Sequence, residues 1–125
     1  MKKIEIFSRH CNISKFSEDR ERLKGFSKKS CYNNLKETID KNISNITFLM
    51  DGNSESHFLK NEKEFEVVEI DGGSQAKSWA STLEHVKNNN FSDEQIIYFI
   101  EDDYLHLENW NNVLLEGFEL KSEYI

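Results

Sequence analysis

Apolar residues along this chain come in short runs, and each run ends in polar or acidic residues. The clearest is Ile96-Ile97-Tyr98-Phe99-Ile100, which leads straight into Glu101-Asp102-Asp103. It is too short for a buried helix and rich in β-branched and aromatic residues, so it predicts a buried strand. Ile46 to Met50 predicts another strand, stopped by the turn signal Asp51-Gly52-Asn53-Ser54. Phe65 to Ile70 predicts a third, stopped by Asp71-Gly72-Gly73-Ser74. Near the start, Lys3 to Ser8 alternates in polarity and predicts a first strand with a polar exit at Arg9-His10-Cys11.

Between these runs the period changes to that of a helix. From Ser27 or Ser30, Cys31, Leu35, Ile39 and Ile43 recur every four residues. Ser74 is a natural N-cap for a helix carrying Ala76, Trp79, Ala80, Leu83 and Val86 on one face, closed by Asn88-Asn89-Asn90. After Asn109 a last helix presents Trp110, Val113, Leu114 and Phe118 on one face. Residues 52–64 are too few for a full crossover helix, though they suffice to link parallel strands. Residues 11–27 are mixed and charged and read as a loop or frayed helix. The last residues, Lys121 to Ile125, read as the start of a further strand. Strands alternating with helices predict an α/β fold with a mainly parallel sheet flanked by helices.

Composition narrows the partners. The 125 residues suit one domain, and the formal net charge is −7. Residues 1–90 are nearly balanced, with 15 Lys/Arg against 14 Asp/Glu, whereas residues 91–125 hold nine acids and only Lys121. A field of that sign repels nucleic acid and anionic membrane and favours cations. Cys11 and Cys31 lack metal-type or redox-type spacing and predict free thiols. No apolar run approaches the ~18 residues of a membrane span, and there is no signal peptide, so the expected location is cytoplasmic.

If the sheet is parallel, the polar strand ends share one edge, where open α/β sheets bind ligands. Glu101, Asp102 and Asp103 offer hard oxygen ligands of the kind Mg²⁺ or Mn²⁺ takes alongside water and phosphate. The competing reading of these residues is a solvated acidic loop. Asp71-Gly72-Gly73-Ser74 before a helix could cradle a phosphate or sugar, although an ordinary capped turn is the commoner use of such residues. Lys77 could reach a phosphate from that helix, Arg9 could pair with a diphosphate or a nearby acid, and Asp51 could accept from a base or ribose. His106, three residues beyond Asp103, is the histidine of interest; His57 reads as a surface residue.

These residues in this order resemble the nucleotide-binding half of a glycosyltransferase of the GT-A fold. The stretch Tyr98 to His106, centred on Glu101-Asp102-Asp103, resembles that superfamily's Asp-x-Asp-type motif. Phe26-Ser27, Cys31-Tyr32, Asn34-Leu35, Asp51-Gly52, and Gly72-Gly73 followed by Ala76 and Ser78 add to the likeness, which covers most of residues 3–120. The resemblance implies a Rossmann-like fold that binds a nucleotide-diphosphate sugar with Mn²⁺ or Mg²⁺. It implies Asp103 as the main metal ligand, with Glu101 or Asp102 on the metal's waters or the sugar. It places Asp51 at the base or ribose, Ser8 and Arg9 in the nucleotide pocket, and Gly73, Ser74 and Lys77 near the diphosphate or donor sugar. A cation at the departing diphosphate would stabilise the leaving group.

The family continues past its acidic strand, so the chain is expected to be a truncated, donor-binding half, with no catalytic base assigned. One alternative is an inactive remnant or subunit that self-associates or pairs with a second-half chain. Another is a different metal-dependent phosphate-handling α/β protein. That reading ranks lowest, because strand one ends in Ser8-Arg9-His10 and lacks a carboxylate nucleophile.

Overall fold

The computed structural model describes residues 1–12 and 25–120. The expected loop or frayed helix over residues 11–27 and the expected strand at Lys121 to Ile125 fall largely or wholly outside those residues. In chain order the elements are β1 (Ile4–Cys11), α1 (Lys28–Thr38), β2 (Ser44–Asp51), two 3₁₀ turns (Ser54–Ser56 and Phe58–Asn61), β3 (Glu66–Ile70), α2 (Gln75–Asn88), β4 (Ile96–Glu101) and α3 (Trp110–Glu119). The strands form one sheet in the order β3-β2-β1-β4, and every pairing is parallel. This is a Rossmann-like α/β fold.

Its topology explains where the helices go. The chain steps outward from β1 to β2 to β3, then returns past β1 to lay down β4. Crossovers of constant hand must then change face when the direction reverses. Leu35 and Ile39 of the first crossover and Leu59 of the second share a core cluster with Ile4, Ile6, Ile46, Phe48, Met50 and Ile100. The third crossover, α2, lies on the other face, where His85 meets the ring of Phe7 and Trp79 that of Phe99. Period-2 alternation in β1 sends Ile4, Ile6, Ser8 and His10 to the first face, and Glu5, Phe7 and Arg9 to the second.

Local sequence sets the helix ends. Ser27 caps α1 in a reciprocal box with Ser30: Ser30 N–H donates to Ser27 Oγ at 2.9 Å, and Ser27 N–H donates to Ser30 Oγ at 3.1 Å. The helix ends at Thr38, so Ile39 caps it and Ile43 leads into β2 instead of extending the helical face. Ser74 caps α2, and the Asn-rich end closes it with Asn90 at φ +51°.

Three expectations are corrected. First, β1 does not stop at Ser8. It stays paired with β2 as far as Cys11, opposite Asp51, so Ser8, Arg9 and His10 are strand residues. Second, α2 does not bury its Ala76-Ala80-Leu83 stripe, which is exposed; it buries Ser78 and Thr82. Thr82 Oγ1 donates to Ser78 C=O at 2.9 Å, so its hydroxyl can be buried without an orphaned donor. Third, α3 leaves Val113 and Phe118 exposed: Val113 lies off the buried face, and Phe118 shares the face of Asn111 and Leu114 but sits in the last turn. Asn111 decides its rotation: its amide donates to Thr38 C=O at 3.1 Å and accepts from Ser44 Oγ at 2.8 Å. Trp110, Leu114 and Leu115 then face the core.

The turn between β3 and α2 leaves no room for a side chain at Gly72. A Cβ on Gly72 would sit 2.6 Å from Asp51 Oδ2 and 2.7 Å from Ser78 Cα. We expect Gly72→Ala to cost about 1–3 kcal/mol of stability by overpacking, read as a lowered midpoint in urea.

Candidate functional site

The order of the strands reverses between β1 and β4, and their carboxyl ends frame the crevice where open α/β sheets take ligands. Arg9, Glu101 and Asp102, predicted from sequence, meet there. Arg9 Nη2 donates to Glu101 Oε1 at 2.8 Å, and Nη1 donates to Ser78 Oγ at 3.2 Å. Its guanidinium lies 4.6 Å from the centroid of the Trp79 ring, a cation–π stack that a planar guanidinium suits. The Arg9 side chain is only 12% exposed.

Asp102 is claimed from the other side. Its Oδ2 lies 3.0 Å from Lys28 Nζ and accepts from Cys11 N–H at 3.2 Å. Lys28 also donates to Cys11 C=O at 3.3 Å. Burial pulls the Lys28 ammonium down, but Asp102 and Cys11 outweigh it and raise its pKa. Burial also raises the Cys11 thiol, reinforced by Asp102, so this cysteine is a poor nucleophile. Asp103 follows at the turn, partly buried.

Below the crevice on the α1 face is a small cleft, water-sized, whose lining includes Ser8, His10, Tyr32, Asp102 and Tyr104. Ser8 Oγ and His10 Nε2 share a hydrogen bond of 2.8 Å, and each residue is only 1% exposed. Tyr32, Phe48, His57 and Phe58 pack edge-on around the His10 ring. Burial, then the charges of His57 and Lys28, lower the His10 pKa to about 3, so the ring is neutral at ordinary pH. His57 is buried, not a surface residue, and its Nδ1 accepts from Leu59 N–H at 3.1 Å.

The remaining predicted residues gather one strand away, at the ends of β2 and β3. Asp51 Oδ1 accepts from Gly72 N–H at 3.1 Å and Gly73 N–H at 3.3 Å, so it holds the turn that could have met a ligand. Gly73 takes φ +74°, a conformation that favours glycine. Ser74 Oγ accepts from Lys77 N–H at 3.3 Å as the N-cap, and the Lys77 side chain is exposed. Ser78 joins the two groups, bonded to Arg9 on one side and close to Gly72 on the other. His106 is engaged by other residues: its Nε2 bonds Tyr98 OH at 2.9 Å, and its ring packs 4.8 Å from that of Trp110.

Sequence reasoning gave no site role to Lys28, Ser78 or Trp79. Lys28 follows an N-cap serine, a position that aims a side chain at the carboxyl edge of the sheet in this fold. Trp79 was legible as a packed aromatic, though not as a platform for Arg9.

As placed, the acids do not fit a resident divalent ion. Glu101 and Asp102 each have a chain cation within 3.0 Å. Among the described residues no three His, Cys, Asp or Glu side chains are grouped so as to hold a metal. None of the described helices is long and apolar enough to cross a membrane. Compared with known protein families, curated proteins and solved structures, the chain finds no match.

Proposed function

We propose that the crevice between β1 and β4 binds a nucleotide-diphosphate sugar, and that the chain is the donor-binding part of a glycosyltransferase. One observation carries this reading: Arg9, Lys28, Glu101 and Asp102, far apart in sequence, converge at the topological switch point. Arg9 would meet a phosphate from the Trp79 side, Asp103 would act at the turn, and the Gly72-Gly73 turn at the N-terminus of α2 would lie beyond, as the likeness to GT-A proteins implies. Glu101 and Asp102 could hold Mn²⁺ or Mg²⁺, which would offset the charge of a diphosphate, only after letting go of Arg9 and Lys28.

Isothermal titration with UDP- and GDP-sugars, with Mn²⁺ and with EDTA, tests the reading. Binding is expected, weakened about tenfold or more by Arg9→Ala, which removes charge-assisted hydrogen bonds, and also by Asp103→Asn. Absence of heat with every donor in both conditions would sink it. Heat unchanged in EDTA would remove the metal from the proposal and leave the nucleotide.

A further inference from the structure

The outer edge of β4 and the outward flank of α3 have a shared character that the crevice does not use. β4 ends the sheet; among the described residues no strand pairs with its second edge. Its backbone groups there are a template for another strand. Ile96, Ile97, Tyr98 and Phe99 are only partly buried, whereas apolar residues of the inner strands such as Ile6, Phe7, Phe48 and Leu49 are 0% exposed. A strand added beside β4 would cover both faces of that shortfall.

α3 begins over this strand, with Trp110 5.5 Å from the Tyr98 ring. α3 and the loop before it expose Leu105, Leu107, Val113, Phe118 and Leu120, the second 86% and the last 81%. Exposed apolar residues concentrated in one segment mark an interaction surface. Charge identifies what would cover it. Between residues 88 and 120 there are eight Asp or Glu and no Lys or Arg, and Glu108, Glu116 and Glu119 lie exposed among the apolar residues. A second copy joined edge to edge through β4 would oppose acid to acid.

We propose that the β4 edge and the α3 flank form a docking face for a basic, β-branched strand of a partner protein, which extends the sheet by one strand. Backbone pairing would supply affinity, apolar side chains would cover β4, and Lys or Arg would answer the acids of α3. The proposal does not depend on the ligand of the crevice.

The probe is a synthetic peptide alternating Lys with Val and Ile, with a Glu-for-Lys counterpart as control, each titrated against the whole chain by fluorescence anisotropy. The Lys peptide is expected to bind, to weaken about tenfold in Glu116→Lys/Glu119→Lys, and to weaken as salt rises. Both residues are exposed, and an unchanged circular dichroism spectrum and urea midpoint check that the variant is folded. Hydrogen exchange should slow at amides of Ile96–Glu101 in the complex. The proposal fails if neither peptide binds, if the Glu peptide binds equally, or if charge reversal changes nothing. It also fails if sedimentation shows the chain alone to be a stable dimer through this face.

Discussion

Glu62→Ala is expected to lower the unfolding free energy by about 3 kcal/mol or more, the scale for removing one partner of a buried charged network. The Glu62 side chain is 0% exposed and takes the place of a helix in the short crossover between β2 and β3. Oε1 lies 2.8 Å from Lys36 Nζ and accepts from Tyr32 OH, both on α1. Oε2 accepts from the backbone N–H of Glu64 at 2.7 Å and of Phe65 at 2.9 Å, where β3 is about to begin. One carboxylate thus ties α1 to the entry of β3. Burial alone would raise its pKa; Lys36, Tyr32 and the two N–H groups outweigh burial and hold it at about 2. Alanine leaves two N–H donors and a tyrosine hydroxyl without their acceptor, whereas Glu62→Gln keeps an acceptor and should cost less. Urea unfolding of both variants checks the order. Equal stability of the alanine variant and the parent would remove this carboxylate from the account of the crossover.

The strands and helices were legible because each leaves a local mark: a short apolar run, a four-residue repeat, a capping serine, an Asn-rich stop. What sequence could not weigh was competition between neighbours. The end of β1 looked like an exit because Ser8, Arg9 and His10 are polar. In the fold β2 continues alongside to Asp51, and all three polar residues find partners within the structure. The apolar face of α2 was read from its largest stripe, yet a helix lying close to Phe7 and Phe99 presents small hydroxyl residues and leaves Leu83 outside. At the candidate site the residue types were legible and their allegiances were not. Asp51 holds a turn, and Glu101 and Asp102 answer cations from β1 and α1, because tertiary ion pairing depends on strand order that no single segment encodes.

Acid should destabilise the fold well above the range in which carboxylates titrate, because His10 is buried neutral. In the unfolded chain its pKa returns to 6.5, while in the fold burial first, then His57 and Lys28, hold it at about 3. Below 6.5 the unfolded state therefore binds a proton that the folded state refuses, and stability falls with pH across that window. At about pH 5 the loss is about 2 kcal/mol, and it approaches its limit near pH 3. His57 and His106, also lowered chiefly by burial, act in the same direction. The depressed carboxyl of Glu62 adds its own loss only below its ordinary 4.5, as pH falls toward 2. The two effects are separable by window. In His10→Gln, urea midpoints between about pH 6.5 and pH 4.5 should flatten to the residual slope of His57 and His106, while the steeper loss at lower pH persists. A variant that keeps the full slope above pH 4.5 would show that His10 can be protonated in place, contrary to its closed setting among Tyr32, Phe48, His57 and Phe58.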